Sequence, residues 1–151
     1  MSRAFVKETE TATPPPERLV SDGPNLVTQT GYEQIAAHVA RLEAALKDDP
    51  DVLARETLER DLRYWSVAKA SAQIVAPAQD GAVAFGSRVT VERNGRVQVF
   101  RIVGEDEADP KQGLVNFRAP LADAVLGARV GDVVEAGAPL GEIRILKIEQ
   151  G

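Results

Sequence analysis

Few residue types able to do chemistry are present, and the gaps narrow the field. Among 151 residues there is no cysteine and a single histidine, His38. Thiolate nucleophiles, disulfides and thiolate metal sites are excluded, and so is any centre built on several imidazoles. Carboxylates remain, in two clusters: Asp48, Asp49 and Asp51, and then Glu105, Asp106, Glu107 and Asp109. Carboxylates are hard oxygen donors, so the first cluster suits a divalent cation, but a self-sufficient Mg²⁺ site also needs a cavity or a phosphate. The competing reading is local. Asp49 ahead of Pro50 serves as a helix N-cap, and Asp51 favours the positive end of the helix that follows. For the second cluster the alternatives are a solvated loop closed by Asp109-Pro110 and an acidic surface that docks onto basic residues of a partner protein.

Charge and hydropathy narrow the partner. Eighteen Lys and Arg against 23 Asp and Glu leave a net charge of −5, which argues against strong direct DNA binding and against an anionic membrane surface. The first residues lack a signal-type apolar core, and no apolar run approaches the roughly 20 residues needed to span a bilayer. The expectation is a cytoplasmic protein with a protein or cationic partner and no membrane association.

The elements that must position these carboxylates follow from periodicity. Residues 1–27 hold Pro14, Pro15, Pro16 and the Gly23-Pro24 pair, with Phe5, Val6, Leu19 and Val20 as their main apolar anchors, and that composition predicts a flexible arm. Thr30-Gly31-Tyr32-Glu33 has the form of a capping box, with Thr28 as the competing cap. Beyond it, Tyr32, Ile35, Val39, Leu42 and Leu46 recur at alternating spacings of three and four, the seam of a short coiled coil. His38 falls off that seam as a solvated helix residue. Pro50 ends the first helix and opens the second, in which Leu58, Leu62, Trp65, Ala68 or Lys69, Ala72 and Val75 form the matching stripe. The second helix is expected to be longer by about two turns. Trp65, too large for a two-helix seam, is expected near the joint with the next domain. Residues 28–76 thus form an antiparallel helical hairpin.

Residues 77–81, Pro77-Ala78-Gln79-Asp80-Gly81, read as a linker, after which the apolar period falls to two. Val89 and Val91, then Asn94-Gly95, then Val97, Val99 and the Phe100–Val103 run describe a β-hairpin. Leu114–Phe117, Val130–Glu135 and Glu142–Ile148 read as further strands, and Leu121–Leu126, stopped by Gly127, as a short helix. Residues 82–151 are therefore expected to form an antiparallel sheet carrying one helix, and the fold class is α+β.

Four segments resemble, in order and spacing, the C-terminal domain of the bacterial Gre transcription elongation factors, GreA and GreB. They are Phe85-Gly86-Ser87-Arg88-Val89-Thr90-Val91, Arg101-Ile102-Val103-Gly104-Glu105-Asp106-Glu107-Ala108-Asp109-Pro110, Pro120-Leu121-Ala122-Asp123-Ala124-Val125-Leu126-Gly127 and Val130-Gly131-Asp132-Val133-Val134-Glu135. Pro24 to Glu33, ending in Gly31-Tyr32-Glu33, is similar to the start of the Gre coiled coil. The resemblance implies an FKBP-like domain that binds the rim of the RNA polymerase secondary channel, and a coiled-coil arm directed down that channel. It makes Asp106, Glu107, Asp109 and Pro110, with Pro120 and Leu121 beside them, the candidate RNA polymerase contacts.

The arm departs from the family. Gre arms carry an Asp-Leu-Ser-Glu-Asn type tip whose acids help the polymerase hold a second catalytic Mg²⁺ for transcript cleavage. Here the tip reads Asp48-Asp49-Pro50-Asp51, on an arm that lacks about 15 residues per helix and so falls short by roughly 20 Å, as in the short-armed relative Rnk. The expectation is a regulator that binds bacterial RNA polymerase without strong cleavage stimulation, has no active site of its own, and needs no cofactor or metal in isolation. One alternative is a true cleavage factor, in which Asp48, Asp49 and Asp51 help hold the polymerase Mg²⁺. Another is a prolyl isomerase or peptide-binding chaperone, against which stands the paucity of aromatics, only Phe85, Phe100 and Phe117 in residues 82–151.

Overall fold

The computed structural model describes residues 15–150. The part of the expected arm that holds Phe5 and Val6 lies outside the described residues. The elements in order are β1 (Asn25–Val27), α1 (Gln29–Lys47), α2 (Val52–Ser71), β2 (Ala72–Ile74), β3 (Arg88–Arg93), β4 (Arg96–Val103), a 3₁₀ turn (Pro110–Gln112), β5 (Leu114–Asn116), α3 (Pro120–Val125), β6 (Val133–Glu135) and β7 (Glu142–Glu149). The chain divides into a helical unit, residues 15–23 with 33–71, and a sheet unit, residues 24–32 with 72–150.

In the helical unit the seam on α1 forms as the spacing predicts. Ile35, Val39 and Leu42 are buried, as are Tyr64 and Ala68 on α2, while Leu58, Leu62 and Trp65 are half-buried. Trp65 finds its partner inside the hairpin. Its ring stacks on His38 at 4.1 Å between centroids, and the Tyr64 ring meets it edge-on at 5.1 Å. His38 is therefore a packing residue rather than a solvated one. Arg41 Nη2 stands 2.6 Å from His38 Nδ1, and a guanidinium only donates, so Nδ1 is the acceptor of that bond.

Residues 17 and 18, expected in the flexible arm, are tied to α2. Arg63 Nε and Nη2 donate to the two carboxylate oxygens of Glu17, both at 2.8 Å. The Arg18 guanidinium lies 4.1 Å from the Tyr64 ring centroid and 3.5 Å from Asp61 Oδ1. A bidentate pair fixes direction as well as distance, which is what a short segment without regular structure needs in order to lie along a helix.

The second helix does not outrun the first: α1 has 19 residues and α2 has 20. Where the stripe continued to Ala72 and Val75, the chain instead becomes β2 and pairs in parallel with β1, Asn25 opposite Ala72, Leu26 opposite Gln73 and Val27 opposite Ile74. Val75 N extends the ladder to Val27 O at 2.9 Å. Ile74 and Val75 are β-branched and Pro77 restricts Ala76, so this stretch favours extended backbone once a partner strand is present. Residues 72–76, ahead of the linker expected at 77–81, and β1 therefore group with the sheet unit.

That unit is built on the β3–β4 hairpin, in register from Arg88 opposite Arg101 to Arg93 opposite Arg96. Its turn residues Asn94 and Gly95 both have positive φ, 55° and 75°, as a two-residue hairpin turn requires. The sheet order is β5-β4-β3-β7-β6. The sheet is mixed rather than purely antiparallel, because the loop from Gly104 to Gly113 carries the chain back and β5 lies parallel to β4. Val89, Val91, Phe100, Ile102, Ile143 and Ile145 form the core with Ala122 and Val125 of α3. Buried Ser87 is satisfied: its hydroxyl accepts from Ala84 N at 2.9 Å and donates to Gln150 Oε1 at 2.6 Å.

The Glu17–Arg63 pair gives a pH signature. The hydrogen bonds from Arg63 hold the Glu17 carboxyl below its ordinary value of 4.5, so the stabilisation is complete above that value and is lost as pH falls through the lowered one. Fluorescence of Trp65, the only tryptophan, should report release of Arg18 from the neighbouring rings. The expected result is a transition below pH 4.5 in the wild type that Glu17→Gln removes or diminishes. Identical acid titrations of the two proteins would show that the pair does not hold this segment.

Candidate functional site

The acidic loop begins where β4 ends. A Cβ on Gly104 would collide with the Leu26 carbonyl oxygen, so only glycine lets the chain pass β1 at this point. The loop then curls, with Glu107 N and Ala108 N donating to Gly104 O at 3.2 and 3.1 Å. It closes through reciprocal bonds between Asp109 and Leu114, of 2.8 and 3.0 Å. The Asp109 carboxylate accepts from Lys111 N at 3.2 Å, capping the 3₁₀ turn whose first residue is Pro110.

The loop differs from an outward acidic patch. Asp106 and Glu107, expected to be exposed, are half-buried along with Glu105 and Asp109. The Thr28 hydroxyl donates to Glu107 Oε1 at 2.6 Å. Thr28 Oγ1 in turn accepts from Gly31 N at 2.9 Å, and Tyr32 N bonds Thr28 O at 2.9 Å. Thr28, not Thr30, is therefore the cap of α1. Glu107 and Asp109 act on backbone and cap within the sheet unit, and Pro110 is exposed.

Pro120 and Leu121 begin α3 and divide by role. Pro120 occupies the first turn, where its missing N–H costs nothing, and is exposed. Leu121 is half-buried against the sheet core and is not a free apolar anchor. Next to them Arg118 donates to Pro24 O at 2.8 Å and lies over the Phe117 ring at 5.2 Å.

Thr28, Ile74, Val75, Pro77, Arg101 and Glu107 are among the residues that line a groove of about 570 Å³ in the sheet unit. No aromatic side chain lines it.

At the tip of the hairpin the cap is Asp51 rather than Asp49. Because α2 starts at Val52, the N-cap is Asp51, whose Oδ1 accepts from Ala54 N at 2.9 Å. Asp49 instead has a left-handed backbone, φ 53°, and its 95%-exposed carboxylate pairs with Arg55 Nη2 at 3.1 Å. Asp48 is exposed at the end of the first helix. Among the described residues no three His, Cys, Asp or Glu side chains converge as metal ligands. With Asp51 on a backbone amide and Asp49 on an arginine, the tip does not fit a resident Mg²⁺.

Arg63 and Glu17 were not singled out in the sequence, and Thr28 and Gly31 only as parts of an expected helix cap, not as partners of the acidic loop. A signal existed for the latter two. Thr28-x-x-Gly31 is a capping box with glycine where the acid should stand, which points to a carboxylate supplied from elsewhere.

Residues 78–150 match the family model for the C-terminal domain of the transcription elongation factors GreA/GreB. GreA of Verminephrobacter eiseniae is 44% identical over 75 residues, 46% of this chain and 48% of that protein. GreA of Alkalilimnicola ehrlichii is 46% identical over 77 residues, 48% and 49% of the two chains. GreB of Haemophilus ducreyi is 35% identical over 88 residues, 56% and 54%. The chain spans about half the length of these relatives. Among solved structures, GreA factor homolog 1 of Thermus thermophilus aligns with 84% of this chain and 99% of its own at 22% identity, TM-score 0.40. A GreA/GreB factor of Nitrosomonas europaea aligns with 84% and 98% at 19% identity, TM-score 0.40. None of the described helices is long and apolar enough to cross a membrane.

The tip geometry predicts a ranking. Asp51→Ala removes the cap and should destabilise the hairpin by about 1 kcal/mol. Asp49→Gly keeps the left-handed backbone open and removes only an exposed ion pair, so it should change stability by a few tenths of a kcal/mol at most. Urea unfolding followed by helical circular dichroism distinguishes them, and equal or inverted effects would refute the assignment of Asp51 as the cap.

Proposed function

Because residues 78–150 match the GreA/GreB C-terminal domain, we propose that this protein is a regulator of bacterial RNA polymerase that docks through its sheet unit at the rim of the secondary channel. That sequence match is the observation that carries the reading. The polymerase works in the cytoplasm, and the proposed function puts this protein there with it. The exposed Pro110 and Pro120, together with Asp106, are the proposed contacts. Apolar prolines beside an acidic loop suit a basic rim, where the charge steers encounter and the apolar contact holds.

The protein acts by occupying the rim, without an active site of its own and without strong stimulation of transcript cleavage. Two features support this. The helices have 19 and 20 residues, roughly 30 Å each, on an arm that the Gre resemblance makes several turns short. Two of the three tip acids are also engaged, Asp51 in capping α2 and Asp49 with Arg55. The second reading, a cleavage factor, rests on the exposed position of Asp48, Asp49 and Asp51 at the tip.

A cleavage time course on backtracked elongation complexes tests the choice. The expected outcome is no shortening of transcripts by the wild type and inhibition of a longer-armed Gre factor added afterwards. Asp106→Lys should weaken polymerase binding about tenfold or more, since a like charge then faces a basic rim. Strong cleavage by the wild type that disappears when Asp48, Asp49 and Asp51 are all Ala would establish the second reading instead.

A further inference from the structure

Gly31 is a glycine without a backbone reason. It is buried inside the first turn of α1, and it is not among the glycines with positive φ. Alanine would fit its backbone and favour the helix. Its surroundings supply the reason: a Cβ there would lie 2.7 Å from Glu107 Oε1 and 3.3 Å from Thr28 Oγ1. The glycine leaves room for a carboxylate from a loop far along the chain.

We propose that Glu107 is a positioning residue for the root of α1, supplying across the fold the acid that a capping box normally carries on its own third residue. With Thr28 as cap, the third helical residue is Gly31, which has no side chain, and α1 has no acidic residue in its first turn. The positive end of the helix is therefore met by Glu107, which accepts from the Thr28 hydroxyl at 2.6 Å while that hydroxyl accepts from Gly31 N at 2.9 Å. All three residues belong to the sheet unit. One hydroxyl thus links the conformation of the acidic loop to the first turn of α1. A partner that held Asp106 and shifted the loop would carry Glu107 away from Thr28 and loosen that turn, so occupation of the loop is transmitted to the helix. This last step rests on the proposed docking of the loop, whereas the link itself is a property of the free protein.

The test uses the full-length protein and reads amide hydrogen exchange at Gly31 and Tyr32. Glu107→Ala should speed exchange at Gly31 by about tenfold, the loss of a bond to a charged acceptor. Glu107→Gln, which keeps a neutral acceptor, should have a smaller effect. Gly31→Ala should lower the melting temperature in the wild type, because it expels the carboxylate, but raise it in the Glu107→Ala background, where only helix propensity remains. A merely structural glycine would not reverse sign. Unchanged Gly31 exchange in Glu107→Ala, or the same sign for Gly31→Ala in both backgrounds, would overturn the proposal. In the polymerase assay Glu107→Gln should bind within about twofold of the wild type. Tenfold weaker binding with unchanged exchange would make Glu107 a direct contact instead. If the exchange and stability results are as expected but the wild type does not bind polymerase, the link stands and the docking reading falls alone.

Discussion

The parallel pairing of β1 with β2 is the constraint on which the rest of the chain depends. The helical hairpin begins directly after Val27 and ends directly before Ala72, and those two points are opposed in one short ladder, Asn25–Val27 against Ala72–Ile74. Two antiparallel helices return a chain to its starting point only when their rises match, and 19 and 20 residues give roughly 28 and 30 Å. This is why α2 stops at Ser71 although apolar residues continue at helical spacing. The residues that would have prolonged it have other work: Val75 continues the ladder to Val27, and Leu26 and Val75 both pack against the sheet core.

The same economy governs the acids. A net charge of −5 and two carboxylate clusters suggest an electrostatic surface, yet several of those carboxylates serve the ends of helices. Asp51 caps α2, Asp109 caps the 3₁₀ turn, and Glu107 holds the cap of α1. A carboxylate that accepts a backbone or hydroxyl proton is oriented and partly desolvated, and its charge is already matched to a helix dipole. What is available to a partner is therefore less than the acid count implies.

The acidic loop and the root of α1 thus share components. Gly104 passes β1 at a distance no side chain allows, Glu107 reaches Thr28, and Arg118 holds the Pro24 carbonyl. Each of these contacts joins the segment before α1 to the domain that matches GreA/GreB, so the first turn of the helix is part of that domain's construction. The hairpin tip has no comparable network. Its acids act within a few residues of themselves, Asp51 on Ala54 N and Asp49 on Arg55.

The elements decided by neighbours a few residues apart were legible in the amino-acid sequence: the Ile35, Val39 and Leu42 seam, the Asn94-Gly95 turn, the alternation in β3, β4 and β7, and the helix break at Pro50. The relation of residues 78–150 to GreA/GreB was legible too, because the residues that carry it lie in continuous segments. Other outcomes needed the tertiary structure. The strand at Ala72–Ile74 reads as helix until a partner 47 residues earlier is in place, and β5 reads as antiparallel until the loop before it is seen to double back. The choice of Thr28 over Thr30 as the cap, and of Glu107 as its acid, is made by a hydrogen bond spanning 79 residues. Local periodicity and turn chemistry act before the chain folds. Pairings that close long loops cost entropy that only the buried core offsets, so their register is settled by the fold as a whole.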